Sequence, residues 1–136
     1  MNLNGGCLCG GVRYLLAEAP FGVVDCHCLD CRRSSGAAYV TWGMVQRKNF
    51  RLLSGSLRKV AHAGRVRGFA SCCGTPILFE DTPESPRVDV AIATLDDPRL
   101  FPPTRVIFVE DKLPWVMLDQ SVPASLTVPQ PTQAGE

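Results

Sequence analysis

No run of roughly 18 apolar residues occurs in the chain, so no segment reads as a membrane-spanning helix. The start, MNLNGGCLCGG, lacks both a basic end and an apolar stretch and does not read as a secretory leader. A cytoplasmic location with no membrane partner is the expectation that follows. An excess of one charge is missing too. The 14 basic residues face 13 acidic ones, for a formal charge of +1, and the basic residues form no long block. That balance speaks against a nucleic-acid partner. Also missing is any window of about twelve residues with helical periodicity free of glycine, proline or β-branching.

What remains is a chain of 136 residues, 46% hydrophobic and 20% charged, which fits one globular domain able to bury a core. Short runs rich in Val, Ile, Phe and Tyr predict strands over 12–17, 21–26, 37–45, 50–55, 66–70, 76–80, 87–95 and 105–110. Partial alternation in RVDVAIATL suits a sheet with one covered face. Short helical turns are expected only at 29–34 and 46–49. The fold class is therefore mostly β. From Val122 the chain reads VPASLTVPQPTQAGE, with three prolines and little bulk. This divides it into a domain over 1–121 and a Pro-rich flexible tail over 122–136. Nothing in the sequence fixes an oligomeric state.

Cysteine is the conspicuous surplus, with seven residues. In a reducing compartment that number argues for metal binding or catalysis over disulfides, and an odd count leaves one thiol over in a fully bridged protein. The spacings are Cys7-x-Cys9, Cys26-x-Cys28-x2-Cys31 and the adjacent pair Cys72-Cys73. Spacings this short let a tight turn offer two thiolates to one zinc ion, with Zn–S near ~2.3 Å. Cys7 and Cys9, flanked by glycines, can meet a knuckle at 72–73. Cys26, Cys28 and Cys31 then remain as a group of three, the arrangement of an open site. Adjacent cysteines seldom aim both sulfurs at one ion, so a bystander among Cys72 and Cys73 is the alternative.

The segments GGCLCGGVRY, CHCLDCRRSSGA, LLSGSLR, RGFASCCGTPILF, ATLDDP and VIFVEDKLPW stand in an order that resembles the glutathione-dependent formaldehyde-activating (CENP-V/GFA) family, over roughly residues 4–120. The resemblance implies an Mss4-like β-tent built of short antiparallel sheets around zinc-binding cysteines. It implies carbon–sulfur lyase activity on adducts of a low-molecular-weight thiol, such as S-hydroxymethylglutathione formed from glutathione and formaldehyde. Matched position by position, Cys7 and Cys9 become structural zinc ligands and Cys26, Cys28 and Cys31 become ligands of a catalytic zinc. The family's later knuckle, F-C-x2-C-G, places its second cysteine on Cys73 and its first on Ala70, which has no thiol. Cys72 as substitute ligand, a water in its place, and a weakened or empty structural site are the three alternatives. Val106 stands where many relatives carry histidine.

Around the three-cysteine group, Arg32 and Arg33 are candidates to offset surplus thiolate charge or to hold a substrate carboxylate, against simple surface solvation. His27 sits between two ligands, with a supporting or acid–base role beside the metal as the alternative to a bystander. Trp42 or Phe21 can wall a pocket or fill a β core. Asp96 and Asp97 read as a turn. Two rival functions stand beside the lyase: a non-catalytic zinc-binding module, and a thiol redox protein using Cys28-x2-Cys31. The redox reading calls for a βαβ setting that the sequence does not write.

Overall fold

The computed structural model describes residues 3–127. Among them the chain forms β1 (Asn4–Gly6), β2 (Arg13–Leu16), β3 (Gly22–Cys26), α1 (Leu29–Ser35), β4 (Val40–Gln46), β5 (Phe50–Ser54), β6 (Leu57–His62), β7 (Arg65–Ala70), β8 (Pro76–Glu80), β9 (Arg87–Ala91) and β10 (Arg105–Ile107). The mostly β expectation holds, and every expected strand is present, most of them with one or both ends trimmed. Residues 92–94 leave the sheet as a 3₁₀ turn in which the Leu95 amide donates to the Ile92 carbonyl at 3.0 Å. The strand expected over 105–110 ends at Ile107, because Phe108 adopts a left-handed φ of 54° and starts another 3₁₀ turn. The helical turn expected at 29–34 is α1, and that at 46–49 is a 3₁₀ turn over Arg47–Asn49.

Two strands carry no propensity signal. The segment NGG of β1 pairs with β2, Gly5 opposite Tyr14, and a Cβ on Gly5 would lie 2.4 Å from the Tyr14 ring. Here glycine is required so that the phenol can pass beneath the backbone. β6 is exposed at five of its six positions and exists as the hairpin partner of β7. Its turn, Ala63-Gly64, has φ of 52° and 80°, the left-handed pair that matches strand twist in a two-residue hairpin.

The strands form two open sheets. A three-stranded sheet runs β1-β2-β5, and a seven-stranded sheet runs β10-β3-β4-β9-β8-β7-β6. All pairings are antiparallel except β10 with β3, where Ile107 faces Cys26 in parallel register. Ladder contacts continue past β10. The Val106 amide donates to the Pro123 carbonyl and the Ser125 amide to the Val106 carbonyl, both at 2.8 Å. Part of the segment expected to be a flexible tail thus lies along β10, and residues 128–136 fall outside the described residues.

The period-two alternation of side chains sets up the site. One face of the seven-stranded sheet sends Val23, Val45, Leu78, Val88 and Val90 against Tyr14 and Leu16 of the smaller sheet, forming the main core. Burying each such side chain contributes about 1.5–3 kcal/mol. Their neighbours Val24, Cys26, Trp42 and Ala91 point to the opposite face and form a second cluster with Cys31 of α1. The same strands therefore build the core with one set of residues and the three-cysteine site with the other.

Candidate metal centres

Cys26 ends β3 and is buried, with Val40 opposite it on β4. The chain then turns, fixed by a bond from the His27 amide to the Ile107 carbonyl at 3.2 Å. Cys28 takes the N-cap position of α1 in an extended conformation (φ −63°, ψ 158°), and its sulfur accepts the Cys31 amide at 3.3 Å. That sulfur stands where a serine or aspartate oxygen commonly caps a helix. Asp30 lies in the first turn, and Gly36 closes the helix with a left-handed φ of 71°. Capping thus holds the Cys28 and Cys31 sulfurs on one side of a short helix pressed to the sheet.

The three sulfurs lie within 4.8 Å of one another, with Cys26 and Cys28 at 3.3 Å. Tetrahedral Zn–S bonds of ~2.3 Å separate sulfurs by about 3.8 Å, so a small relaxation fits one ion here. Cys26 and Cys31 are buried, whereas Cys28 is half-buried, which leaves the open direction on the Cys28 side. The Trp42 indole N–H donates to the Cys31 sulfur at 3.3 Å. Hydrogen bonds from the Cys26 and Cys31 thiols hold the Cys28 thiol far below its ordinary pKa. Cys26 is pushed far up by its bonds to Cys28 and Cys31 and by burial. Among the metal-free thiols these hydrogen bonds make Cys28 the one that ionises most readily.

The second cluster brings together ends of the chain that are far apart in sequence. Cys7, Cys9, Cys72 and Cys73 place all four sulfurs within 4.8 Å of one another. Cys7 lies 3.8 Å from Cys9 and 3.7 Å from Cys72, near the tetrahedral separation, while Cys9 and Cys72 approach to 3.2 Å. The 7–12 turn is closed by Cys7 amide to Val12 carbonyl at 3.1 Å, and the Val12 amide donates to the Cys7 sulfur at 3.2 Å. The 70–75 turn is closed by Ala70 amide to Thr75 carbonyl and by Gly74 amide to Ala70 carbonyl, each at 2.8 Å, with Gly74 at φ 80°. Cys73 is pulled down to about 5, first by the Thr75 hydroxyl and then by backbone amides of Cys9 and Thr75. Cys72 is pushed up to about 12, foremost by its contact with Cys9.

Both adjacent cysteines therefore reach the cluster, and neither is a bystander in space. Ala70, at the end of β7, is fully buried. The two clusters could each coordinate a metal ion, and their thiol sets suit zinc above harder-ligand metals.

A family model described as glutathione-dependent formaldehyde-activating enzyme matches residues 2–111. The chain belongs to that family. Among solved structures, a crystal structure of a Rhodobacter sphaeroides protein is similar to it, with 22% identity and a TM-score of 0.56. The match covers 68% of this chain and 87% of that one. It supports the shared fold alone. No curated protein matches the chain.

Within this family member, the residues flanking the three-cysteine group behave differently from one another. Arg33 is exposed, whereas Arg32 is half-buried and its Nε is buried without a partner. His27 is 1% exposed and stacks on Tyr39 at 4.8 Å between ring centroids; burial pushes its pKa down. Asp96 pairs with Arg13, with oxygen–nitrogen distances of 2.9 and 2.5 Å. Asp97 pairs with Arg99 at 3.0 Å.

The sequence alone allows Trp42 either to wall a pocket or to fill the core. Its place opposite Val24 on β3, two residues from Cys26, puts its N–H on Cys31. Thr75 carries no motif in the sequence that marks it as part of a site. It accepts the Leu8 amide at 3.0 Å and contacts the Cys73 sulfur at 3.3 Å, joining the two halves of the four-cysteine cluster. A hydroxyl two residues after a cysteine pair was the available signal.

Proposed function

We propose that the protein is a zinc-dependent carbon–sulfur lyase acting on adducts of a low-molecular-weight thiol, with S-hydroxymethylglutathione as a representative substrate. The observation that carries this reading is the incomplete ligand set of Cys26, Cys28 and Cys31, half-open at Cys28. Three thiolates leave one coordination position for a substrate, whereas four close a site. Zinc held there would supply a Lewis-acid position that keeps a substrate sulfur ionised near neutral pH.

This chain's own residues then divide the remaining work. The Trp42 N–H and the Cys31 amide offset negative charge on the cluster's sulfurs, which conserves ligand positions while charge changes nearby. Trp42 and the half-buried Phe79 and Val40 shield the sheet side of the cluster from water. In the lyase direction the adduct's hydroxyl loses its proton, the carbon–oxygen double bond forms, and the carbon–sulfur pair returns to sulfur. The products are aldehyde and thiol, with no net oxidation. Cys7, Cys9, Cys72 and Cys73 are read as ligands of a second, structural zinc that ties residues 7–9 to 72–73 and adds to folding stability.

The redox alternative meets a specific obstacle. β3 and β4, which flank α1, are antiparallel, and α1 is seven residues long, so the thioredoxin-type βαβ setting is not formed. Formaldehyde release from S-hydroxymethyl thiol adducts, followed on zinc-loaded wild type and Cys28→Ala, tests the lyase. Turnover lost in the variant is expected. Equal release by wild type and variant would remove the lyase reading, and turnover accompanied by a Cys28–Cys31 disulfide would favour redox chemistry.

A further inference from the structure

The near-neutral total conceals a strong segregation of charge. Nine of the 14 basic residues and none of the 13 acidic ones lie between positions 31 and 79. This stretch holds β4 to β7 and all of α1 and β8 except Leu29, Asp30 and Glu80, so it supplies the β8-β7-β6 end of the seven-stranded sheet together with most of the helix of the three-cysteine group. Some of its cations are already neutralised. Glu80 faces both Arg47 and Lys59, and Arg65 faces Asp81 at 3.4 Å. Arg67 has no carboxylate partner among the described residues.

Arg67 is also placed where an uncompensated charge can be used. A cleft of about 440 Å³, counted to its open mouth, lies between the end of α1 and strands β4, β7 and β8. Ser34, Ser35, Val40, Trp42, Arg67 and Phe69 line it. The Arg67 guanidinium carbon sits 4.7 Å over the Phe79 ring, Phe79 lies 5.9 Å from Trp42, and Trp42 donates to Cys31. Contacts through Phe79 and Trp42 therefore connect the half-buried guanidinium to the three-cysteine cluster. The cation–π contact anchors the guanidinium over the Phe79 ring.

Resting on the thiol-adduct reading above, we infer that this cleft receives an anionic group, carboxylate or phosphate, carried by the same thiol whose sulfur docks at the three-cysteine cluster. Arg67 is the specificity-determining residue that recognises it. The apolar lining takes the intervening carbon chain, while the Ser34 and Ser35 hydroxyls donate to the Cys31 carbonyl at 3.3 and 2.7 Å and leave the anion to Arg67. An adduct of a neutral thiol would leave the guanidinium without a partner.

The test uses zinc-loaded full-length protein and isothermal titration of three matched probes: 3-mercaptopropionate, 3-mercaptopropyl phosphate and neutral 3-mercaptopropanol. Wild type is expected to bind at least one anionic thiol about tenfold more tightly than the neutral one, as a charge-assisted contact would give. The tighter of the two anions identifies the source. Arg67→Gln is expected to abolish the preference while leaving the neutral thiol's affinity within about twofold, and Arg67→Lys to recover part of it. Thermal melts of both variants establish that they fold. If wild type binds all three probes equally, or Arg67→Gln keeps the preference, the anionic-subsite inference is overturned while the thiol site stands. Binding of no probe would overturn the thiol-site reading and this inference together.

Discussion

The Trp42 indole N–H points at the Cys31 sulfur from 3.3 Å, and both residues are buried. A buried indole N–H needs an acceptor, and a thiolate given a donor keeps its orientation and disperses its charge. Trp42→Phe removes the donor while retaining a ring beside Phe79. Zinc affinity at the three-cysteine site should fall about 10- to 100-fold, with the four-cysteine site unaffected. Chelator titration followed by native mass spectrometry resolves the two losses. Release of both metals at the wild-type chelator concentration would show that the contact gives the cluster no support.

The sulfurs of Cys9 and Cys72 meet at 3.2 Å across the second cluster. The contact between Cys9 and Cys72 spans 63 positions of the chain, so an ion bridging them removes much unfolded-state freedom. Native mass spectrometry should count two zinc ions in wild type, one in Cys28→Ala and one in Cys72→Ser. Loss of the closing ion in Cys72→Ser should cost about 3 kcal/mol, by analogy with a covalent loop closure, and lower the melting temperature by roughly 10 °C. Two zinc ions retained in Cys72→Ser would mean that the adjacent cysteine is a neighbour of the site and not a ligand.

The two cysteine groups were legible in the sequence because C-x-C and C-x2-C spacings constrain local turns regardless of the fold around them. The group of four was only half legible. Whether Cys72 or an empty corner replaces a thiol at position 70 depends on the 70–75 turn, whose bonds from Ala70 to Thr75 and from Gly74 to Ala70 bring residues 72 and 73 round together. β1 and β6 were missed because pairing creates them. NGG has no strand propensity, and LRKVAH is too exposed and basic to alternate. The parallel β10–β3 pair was equally hidden, since nothing local in RVI announces that it will lie beside a strand some 80 residues earlier. Trp42 gains its role from cross-strand register, which composition does not encode.

Gly11 offers a test of the second site that leaves every thiol in place. A Cβ at this position would come within 2.9 Å of the Cys72 sulfur and 3.4 Å of the Cys9 sulfur. Gly11→Ala should therefore push Cys72 from the cluster and weaken metal at this site by about tenfold, roughly 1.4 kcal/mol in binding. Cobalt substitution provides the readout, because tetrahedral thiolate coordination gives intense visible bands. An unchanged spectrum and affinity in Gly11→Ala would mean that the turn relaxes without involving the ligands.

Asp89 gives the domain a pH dependence independent of the metals. It sits on β9 between Met44 and Phe79, with 9% exposure, and its Oδ1 has no hydrogen-bond donor. Arg87 lies 3.5 Å away and favours the carboxylate, but burial wins and raises the group from an ordinary 3.8 to about 6. Since the folded state holds the proton more tightly than the unfolded one, stability is highest below pH 4 on this account. It is lost as pH rises through about 6. A shift of that size corresponds to about 3 kcal/mol at pH 7. Asp89→Asn removes the titration, so it should stabilise the protein by about 2 kcal/mol at pH 7 and by almost nothing at pH 4. Urea unfolding of wild type and variant at both values measures the difference. A constant difference between pH 4 and 7 would mean that Asp89 is ionised throughout and that Arg87, not burial, sets its charge.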